Sequence, residues 1–391
     1  MQILLQILFW VSAAAILHSY VLFPLIIRMR AGRLTPPEPD PLPEPAPFVS
    51  IIIAAFNEEQ VIVEKLDSIF GGQYPRDRFE VLVGSDASTD HTVELVSDYA
   101  GKQPGRLQLS AYDRRRGKPN VVNDLVSAAR GEILVLTDAN VIFDSDTLNE
   151  LIRPFADPLM GLVDTRMINM GMKREGISYQ EKAYISREVD IKRCESTLWG
   201  SMMGPFGGCY AIRRSLYRPV PHNFLVDDFY LNMLVLESGF KAINRPSARV
   251  FEDVSNDLKI EYRRKVRIAT GNFQNLARFG HMLWPPWSGR AFSFMSHKVM
   301  RWLGPHFMLL ALASLVFLSF GSDFYRLGLF TYLGLLLLPL MDFGLKSVNL
   351  HAPILRFLTH FLAMNLAMGV GFIRYLKGVK SNVWQPTKRH Q

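Results

Sequence analysis

The chain has 391 residues, of which 49% are hydrophobic, and a formal net charge of +8. That length exceeds one small domain and predicts two or three units. The two cysteines, Cys194 and Cys209, match neither a disulfide framework nor a metal motif. The positive charge clusters beside apolar stretches, which points to a membrane surface carrying anionic lipid and away from nucleic acid as a partner.

Taken in order, residues 3–27 carry no charged side chain other than His18, about the length needed to cross a ~30 Å bilayer core. Arg28, Arg30 and Arg33 follow at once, so the positive-inside rule brings the chain out on the cytoplasmic side. A membrane anchor is therefore predicted over 1–29. Residues 30–47 hold seven prolines between Pro36 and Pro47 and read as a semi-rigid polyproline linker.

From 48 to about 280 the pattern is that of a cytoplasmic α/β domain. Strands are predicted at Val49–Ala55, Phe79–Gly84 and Leu107–Ala111, and a helix at Lys118–Ala129. A further helix is predicted to start at Asn57-Glu58-Glu59, with Asn57 as its cap. Strands alternating with helices at this spacing imply a mostly parallel sheet with helices on both faces. Ile133-Leu134-Val135-Leu136-Thr137-Asp138-Ala139-Asn140 is its central strand, an unbroken apolar run ending in a small polar cluster. Ligands of such sheets sit beyond the carboxyl ends of the strands. Asp138 and Asn140, two residues apart, are placed there to share a hard cation such as Mg²⁺ or Mn²⁺.

Beyond Asn140, helices are predicted at 145–156, at Ser178–Glu195, from Asp227-Asp228, and over the basic stretch 258–280. A strand is predicted at 161–168. Trp284, Pro285, Pro286 and Trp287 mark a membrane-interface segment over 281–301. Residues 303–320, 327–341 and 357–373 lack Asp, Glu, Lys and Arg, and predict about three membrane helices within 302–375. The tail 376–391 is basic. Three spans after a cytoplasmic domain would leave that tail outside, against the positive-inside rule, so one of the three is expected to be re-entrant, interfacial or split.

Six sequence elements now stand in one order: Val49-Ser50-Ile51-Ile52-Ile53-Ala54-Ala55-Phe56-Asn57-Glu58-Glu59, Gly84-Ser85-Asp86-Ala87-Ser88-Thr89-Asp90, Gly117-Lys118, Thr137-Asp138-Ala139-Asn140, Gly207-Gly208 with Arg213-Arg214, and Asp227-Asp228. Together they resemble the membrane-bound glycosyltransferases of family 2, which use the nucleotide-diphospho-sugar transferase (GT-A) fold. The resemblance implies a nucleotide-sugar site at Asn57, Glu58, Asp86, Lys118 and Asp138, with Asp86 facing the base and Lys118 the phosphates. It implies a metal held by Asp138 and Asn140, and an acceptor or diphosphate site at Gly207, Gly208, Arg213, Arg264 and Arg267. Asp228 matches the general base of inverting transfer, with Asp227 as its rival.

Two departures from the family pattern qualify those expectations. Asn140 stands where a second Asp is usual, so metal affinity should be lower. The Gln-x-x-Arg-Trp motif of processive members is reduced to Arg264, Lys265, Val266, Arg267 and Ile268, without the stacking indole. The resemblance therefore implies an inverting glycosyltransferase in the cell inner membrane, multi-pass, with its catalytic domain cytoplasmic. Its donor would be a nucleotide sugar, with a UDP-sugar favoured, and its acceptor a glycan or lipid-linked acceptor, with other polysaccharide-synthesis proteins as candidate partners. A polyprenyl-phosphate sugar synthase and a non-catalytic component of a polysaccharide export complex remain the alternatives.

Overall fold

The computed structural model describes residues 1–34, 41–170, 178–253, 258–347 and 352–379. Prolines 36, 37 and 39 of the linker and the basic residues from Lys380 onward lie outside them. The chain divides into two compact units. One comprises residues 1–29, 173–184 and 256–378, the other 30–172, 185–255 and 379–391.

The helical unit opens with α1 (Gln2–Leu17) and α2 (Phe23–Ala31), joined through a π-helical turn at His18–Leu22. They form one 30-residue apolar stretch long enough to cross a membrane. In the second unit the chain runs β1 (Val49–Ala55), α3 (Ile62–Phe70), β2 (Phe79–Asp86), α4 (Thr92–Lys102), β3 (Leu107–Tyr112), α5 (Lys118–Ala128), β4 (Ile133–Asp138) and β5 (Val141–Phe143). It continues through α6 (Thr147–Ile152), β6 (Met160–Met170), α7 (Ser178–Trp199), β7 (Cys209–Arg213), α8 (Asp227–Glu237) and β8 (Lys241–Asp253).

The eight strands form one sheet in the order β3-β2-β1-β4-β7-β6-β8-β5. The β3-β2-β1-β4 half is parallel and β6 pairs parallel with β8, while β7 runs antiparallel to both β4 and β6, and β5 to β8. Four of the seven pairings are thus parallel in a mixed sheet. Every residue of β1 and β2 is buried, which is why these strands read as mostly apolar runs, interrupted by Ser50 and Glu80, which bond each other.

On one face Ile51, Ile53, Val81, Val83 and Val135 pack against Ile62, Leu66 and Ile69 of α3, Val96 of α4 and Leu148 of α6. Each such buried aliphatic side chain contributes about 1.5–3 kcal/mol. On the other face α5 comes so close to β2 that Val121 and Leu125 fill the space a side chain at Gly84 would need. The helix expected from Asn57 begins only at Ile62. Asn57 is instead left-handed, with φ +55°.

After α9 (Leu258–Phe279) come α10 (Gly289–Ser293), a π-helical turn at Phe294–Val299, α11 (Met300–Trp302), α12 (Gly304–Leu318), α13 (Asp323–Ser347) and α14 (Pro353–Leu376). α9 was expected within the catalytic domain; it groups with the C-terminal helices instead. Gly371 of α14 has no side chain, and Ala269 and Thr270 of α9 press against its backbone, while Phe273 meets Phe372 with ring centres 4.9 Å apart.

Among the described residues three helices are long and apolar enough to cross a membrane: Gln2–Ala31, Asp323–Leu345 and Pro353–Leu376. The predicted span at 303–320 differs. It is the second half of a helix pair bent by 62° between Gly289–Trp302 and Gly304–Leu318. Trp284 and Trp287 are exposed, with ring centres 5.6 Å apart, as interfacial indoles would be.

Candidate active site

The carboxyl ends of β1, β2 and β4 carry the residues expected at the donor side, and parallel pairing sets Ala54 beside both Gly84 and Asp138. Asn57 bridges two of these ends. Its Oδ1 accepts from the Thr89 amide at 2.9 Å, and its own amide donates to Ser88 Oγ at 3.2 Å. The Glu58 amide donates to Thr92 Oγ1 and the Glu59 amide to Asp90 Oδ2. The polar run that reads as a helix start therefore spends its hydrogen bonds on the neighbouring loop. Asp90 also accepts from the Thr92 amide at 3.0 Å, capping the first turn of α4.

Asp86 is fully buried. Its Oδ1 accepts from the Arg116 amide at 2.6 Å, and its Oδ2 from Arg115 Nε and the Gly117 amide, both at 3.1 Å. The Arg115 guanidinium lies 3.4 Å from the centre of the Phe56 ring. The residue expected at the base thus folds the 115–117 loop around itself, and that loop delivers Lys118 to the start of α5.

Lys118 Nζ donates to Asp138 Oδ1 at 2.6 Å. Burial works against the charge of this ammonium, but Asp138, Asp227 and Asp228 outweigh it and raise its pKa. One cation therefore answers three carboxylates from β4 and α8. Asn140 Nδ2 donates to Glu252 Oε1 of β8 at 3.2 Å. Among the described residues no group of three His, Cys, Asp or Glu side chains gathers to hold a metal. One carboxylate at Asp138 and one carboxamide at Asn140 are hard oxygen donors that suit Mg²⁺ or Mn²⁺, provided the donor's diphosphate supplies further ligands.

Asp227 and Asp228 open α8. Burial raises the Asp228 pKa, its neighbour Asp227 raises it further, and Lys118 opposes both. The Gly204–Gly208 loop closes over this helix start. Gly207 adopts φ +81°, and a Cβ there would stand 2.5 Å from Asp228 Oδ2, so only glycine seats the loop against that carboxylate.

Behind the loop lies a buried network that no sequence motif announced. Lys192 of α7 donates to Asp164 of β6 at 2.5 Å, Asn244 of β8 donates to the same carboxylate oxygen at 3.0 Å, and the Phe206 amide reaches its other oxygen at 3.4 Å. Burial pushes the Asp164 carboxyl up, and Lys192 and Asn244 hold it back. The buried Tyr210 hydroxyl has no hydrogen-bond partner among the described residues. A lysine and an aspartate 28 positions apart carry no local signal, which is why this support was missed.

One expected ligand stands elsewhere. Arg213 pairs with Ile133, at the opposite end of β4 from Asp138. Its guanidinium donates to the carbonyls of Met160, Phe155 and Asp157. It fastens the sheet and is not brought to the site, because a fully extended strand carries residues five apart some ~16 Å from each other. Arg264 and Arg267 are on α9 in the helical unit, where Arg264 approaches Glu261 at 3.4 Å.

Residues 50–220 match the profile of a family described as glycosyl transferase family 2. The solved mannosyltransferase PcManGT from Pyrobaculum calidifontis, in complex with GDP-Man and Mn²⁺, is 26% identical and superposes with a TM-score of 0.70 over 93% of this chain and 98% of that one. A probable glycosyltransferase, YdaM, of Bacillus subtilis is 24% identical over 246 residues, which is 60% of this chain and 57% of that protein. A beta-monoglucosyldiacylglycerol synthase of Nostoc sp. is 28% identical over 156 residues, 39% of this chain and 33% of that protein. The chain thus spans from a third to under three fifths of the length of these two curated relatives. Asp86, Lys118, Asp138 and the Gly207–Gly208 loop all fall inside the matched segment, Asp227 and Asp228 lie a few residues after it, and the mixed sheet that carries them is of the GT-A kind: residues 50–220 form a glycosyl transferase family 2 domain.

Proposed function

We propose that the protein is an inverting glycosyltransferase that moves a sugar from a nucleoside-diphosphate donor to a hydroxyl of a lipid or lipid-linked glycan. The observation that carries this reading is the single ammonium of Lys118, which bonds Asp138 while feeling Asp227 and Asp228. A phosphate-neutralising cation and a raised-pKa carboxylate then belong to one site.

The chemistry follows from those residues. Asp228 removes the proton from the acceptor hydroxyl as its oxygen attacks the anomeric carbon. The glycosidic bond forms on the face opposite the departing diphosphate, which takes the electron pair of the broken C–O bond. Lys118 answers the charge that develops on that leaving group. Asp138 and Asn140 are the residues that would hold a divalent cation, which when bound supplies further neutralisation of the diphosphate. A base whose pKa burial has raised binds a proton more firmly than an exposed carboxylate, as an acceptor alcohol requires.

The donor end is less restricted than a uridine site alone. Asp86 presents a buried carboxylate to whatever N–H edge displaces Arg115, and the similar solved enzyme holds GDP-Man. The relative named for diacylglycerol synthesis supports a lipid acceptor. Arg28, Arg30 and Arg33 after the first apolar helix support a cytoplasmic catalytic unit, where nucleotide sugars are made.

The test is incubation of the purified protein in lipid nanodiscs with radiolabelled UDP- and GDP-sugars and a membrane lipid extract. Label in a glycolipid, lost in Asp228→Asn while nucleotide binding persists, is the expected result. Label on a polyprenyl phosphate that survives Asp228→Asn would replace this reading with the lipid-phosphate one.

A further inference from the structure

The apolar stripe of α3, Ile62, Leu66 and Ile69, is interrupted by Lys65, which is fully buried with them. An ammonium in such a place is costly unless its protons are met. Nζ donates to Thr137 Oγ1 at 2.9 Å and to the carbonyl of Val141, and stands 3.7 Å from the centre of the Phe143 ring. No carboxylate bonds it among the described residues. Burial draws its pKa down to about 7 against the pull of Asp138, so the group acts as a hydrogen-bond donor more than as half of an ion pair. An apolar side chain of the same volume would fill the space at less cost.

Its two acceptors bracket the Asp138-Ala139-Asn140 turn. Thr137 Oγ1 in turn donates to the Gly208 carbonyl at 3.1 Å, and the Asp138 amide donates to that same oxygen at 2.9 Å. Gly208 follows Gly207, the residue packed on the Asp228 carboxylate. A continuous chain of contacts therefore runs from Lys65 through Thr137 and Gly208 to Asp228, with the Asp138 turn held on the way.

We infer that Lys65 is a positioning residue for the transfer reaction: it holds the Asp138 turn and, through Thr137, the Gly207–Gly208 loop, and so keeps the donor site and the base in register. This rests on the assignment of Asp138 and Asp228 to the reaction. Lys65 itself touches no substrate in this arrangement.

The test compares full-length wild type with Lys65→Met, Thr137→Val, the double variant and Thr137→Ser, in nanodiscs. Amide hydrogen exchange without any ligand reads the two loops directly. Lys65→Met and Thr137→Val are each expected to speed exchange over residues 204–208, with exchange in β2 and β3 unchanged, and Thr137→Ser to restore it. Binding of UDP and of GDP with Mn²⁺ is expected to weaken about tenfold in each single variant, with the double variant no weaker than either, because both break one relay.

Wild-type exchange over 204–208 in Lys65→Met would overturn the inference, as would additive losses in the double variant. If Lys65→Met does not fold, unchanged exchange over 204–208 in Thr137→Val overturns it equally. A wild-type protein that binds neither nucleotide would sink the donor reading of the site, and the exchange result would still decide the role of Lys65.

Discussion

Lys118 Nζ lies 2.6 Å from Asp138 Oδ1, so the carboxylate expected to meet a metal is already neutralised by a lysine from α5. A cation arriving alone must compete with that ammonium. A cation arriving on a diphosphate brings phosphate oxygens that give Lys118 another partner. We therefore expect Mn²⁺ to bind weakly by itself and about tenfold or more tightly with UDP or GDP present, a coupling of about 1.4 kcal/mol or more. Lys118→Met should tighten Mn²⁺ binding alone and weaken nucleotide binding. Asp138→Ala should abolish both transfer and the coupling while leaving the melting temperature near that of wild type. Titration calorimetry with and without nucleotide decides it, and Mn²⁺ binding unaffected by either nucleotide would refute the arrangement.

Asn140 makes a sharper prediction than its place in the sequence allowed. A carboxylate at that position coordinates a divalent cation better than a carboxamide. Yet Asn140 Nδ2 donates to Glu252 Oε1, and Asn140→Asp replaces that donor with a second negative charge. The metal-free variant should melt lower than wild type, since it exchanges a hydrogen bond for a second negative charge beside Glu252. Added Mn²⁺ should bind more tightly than in wild type and recover the loss. Thermal melts across a Mn²⁺ series provide the measurement; a metal-free variant as stable as wild type would mean the Glu252 contact carries no weight.

The pH dependence follows from Asp228. Its carboxyl is raised by burial and by Asp227, and a general base must be deprotonated to work. Transfer should therefore fall on the acid side at a pH above that of an exposed carboxylate. Asp227→Asn removes a neighbouring negative charge and should move this limb to lower pH, leaving the plateau rate reduced but measurable. Stability moves the opposite way. A carboxyl whose folded pKa is raised makes the native state bind the extra proton, so this group's contribution declines as pH rises from the ordinary carboxylate range through the raised value. An acid limb that stays in place in Asp227→Asn would separate the two aspartates.

The legible parts of this protein are those whose side chains answer to one local rule. β1, β2 and β4 are buried on both faces, so their apolar runs announced themselves, and Asp86 and Asp138 could be placed at strand ends from order alone. β8 escaped because Pro246 and two arginines, Arg245 and Arg249, break its alternation, although it pairs along β6 over most of its length. Asn57-Glu58-Glu59 has the composition of a helix start, but tertiary bonds to Ser88, Thr92 and Asp90 claimed its amides. Arg213 reads as a ligand in a motif and sits at the wrong end of its strand, since register across β4 fixes its height and sequence order does not. Lys65 did leave a trace. A lysine between Ile62 and Leu66 on an apolar stripe contradicts the helix pattern around it, and such contradictions mark sites more often than faults.

Gly207 offers the most direct test of the base. Its φ of +81° lies in the left-handed region, and a Cβ added there would stand 2.5 Å from Asp228 Oδ2. Alanine therefore faces two costs, backbone strain and a collision with the carboxylate itself. Relief comes most easily by moving the Asp228 side chain, because the loop behind is held by Asp138 N and Thr137 Oγ1 on the Gly208 carbonyl. A displaced base loses alignment with the acceptor hydroxyl, and a shift of ~1 Å costs about a hundredfold in rate. Gly207→Ala should accordingly lower kcat by about that factor while donor binding, set by Lys118 and Asp138, changes little. Gly239→Ala is the control, since it also has a positive φ, of +84°, but nothing within 4 Å of the added methyl. Equal losses in the two variants would assign the effect to backbone strain; a loss confined to Gly207→Ala assigns it to Asp228.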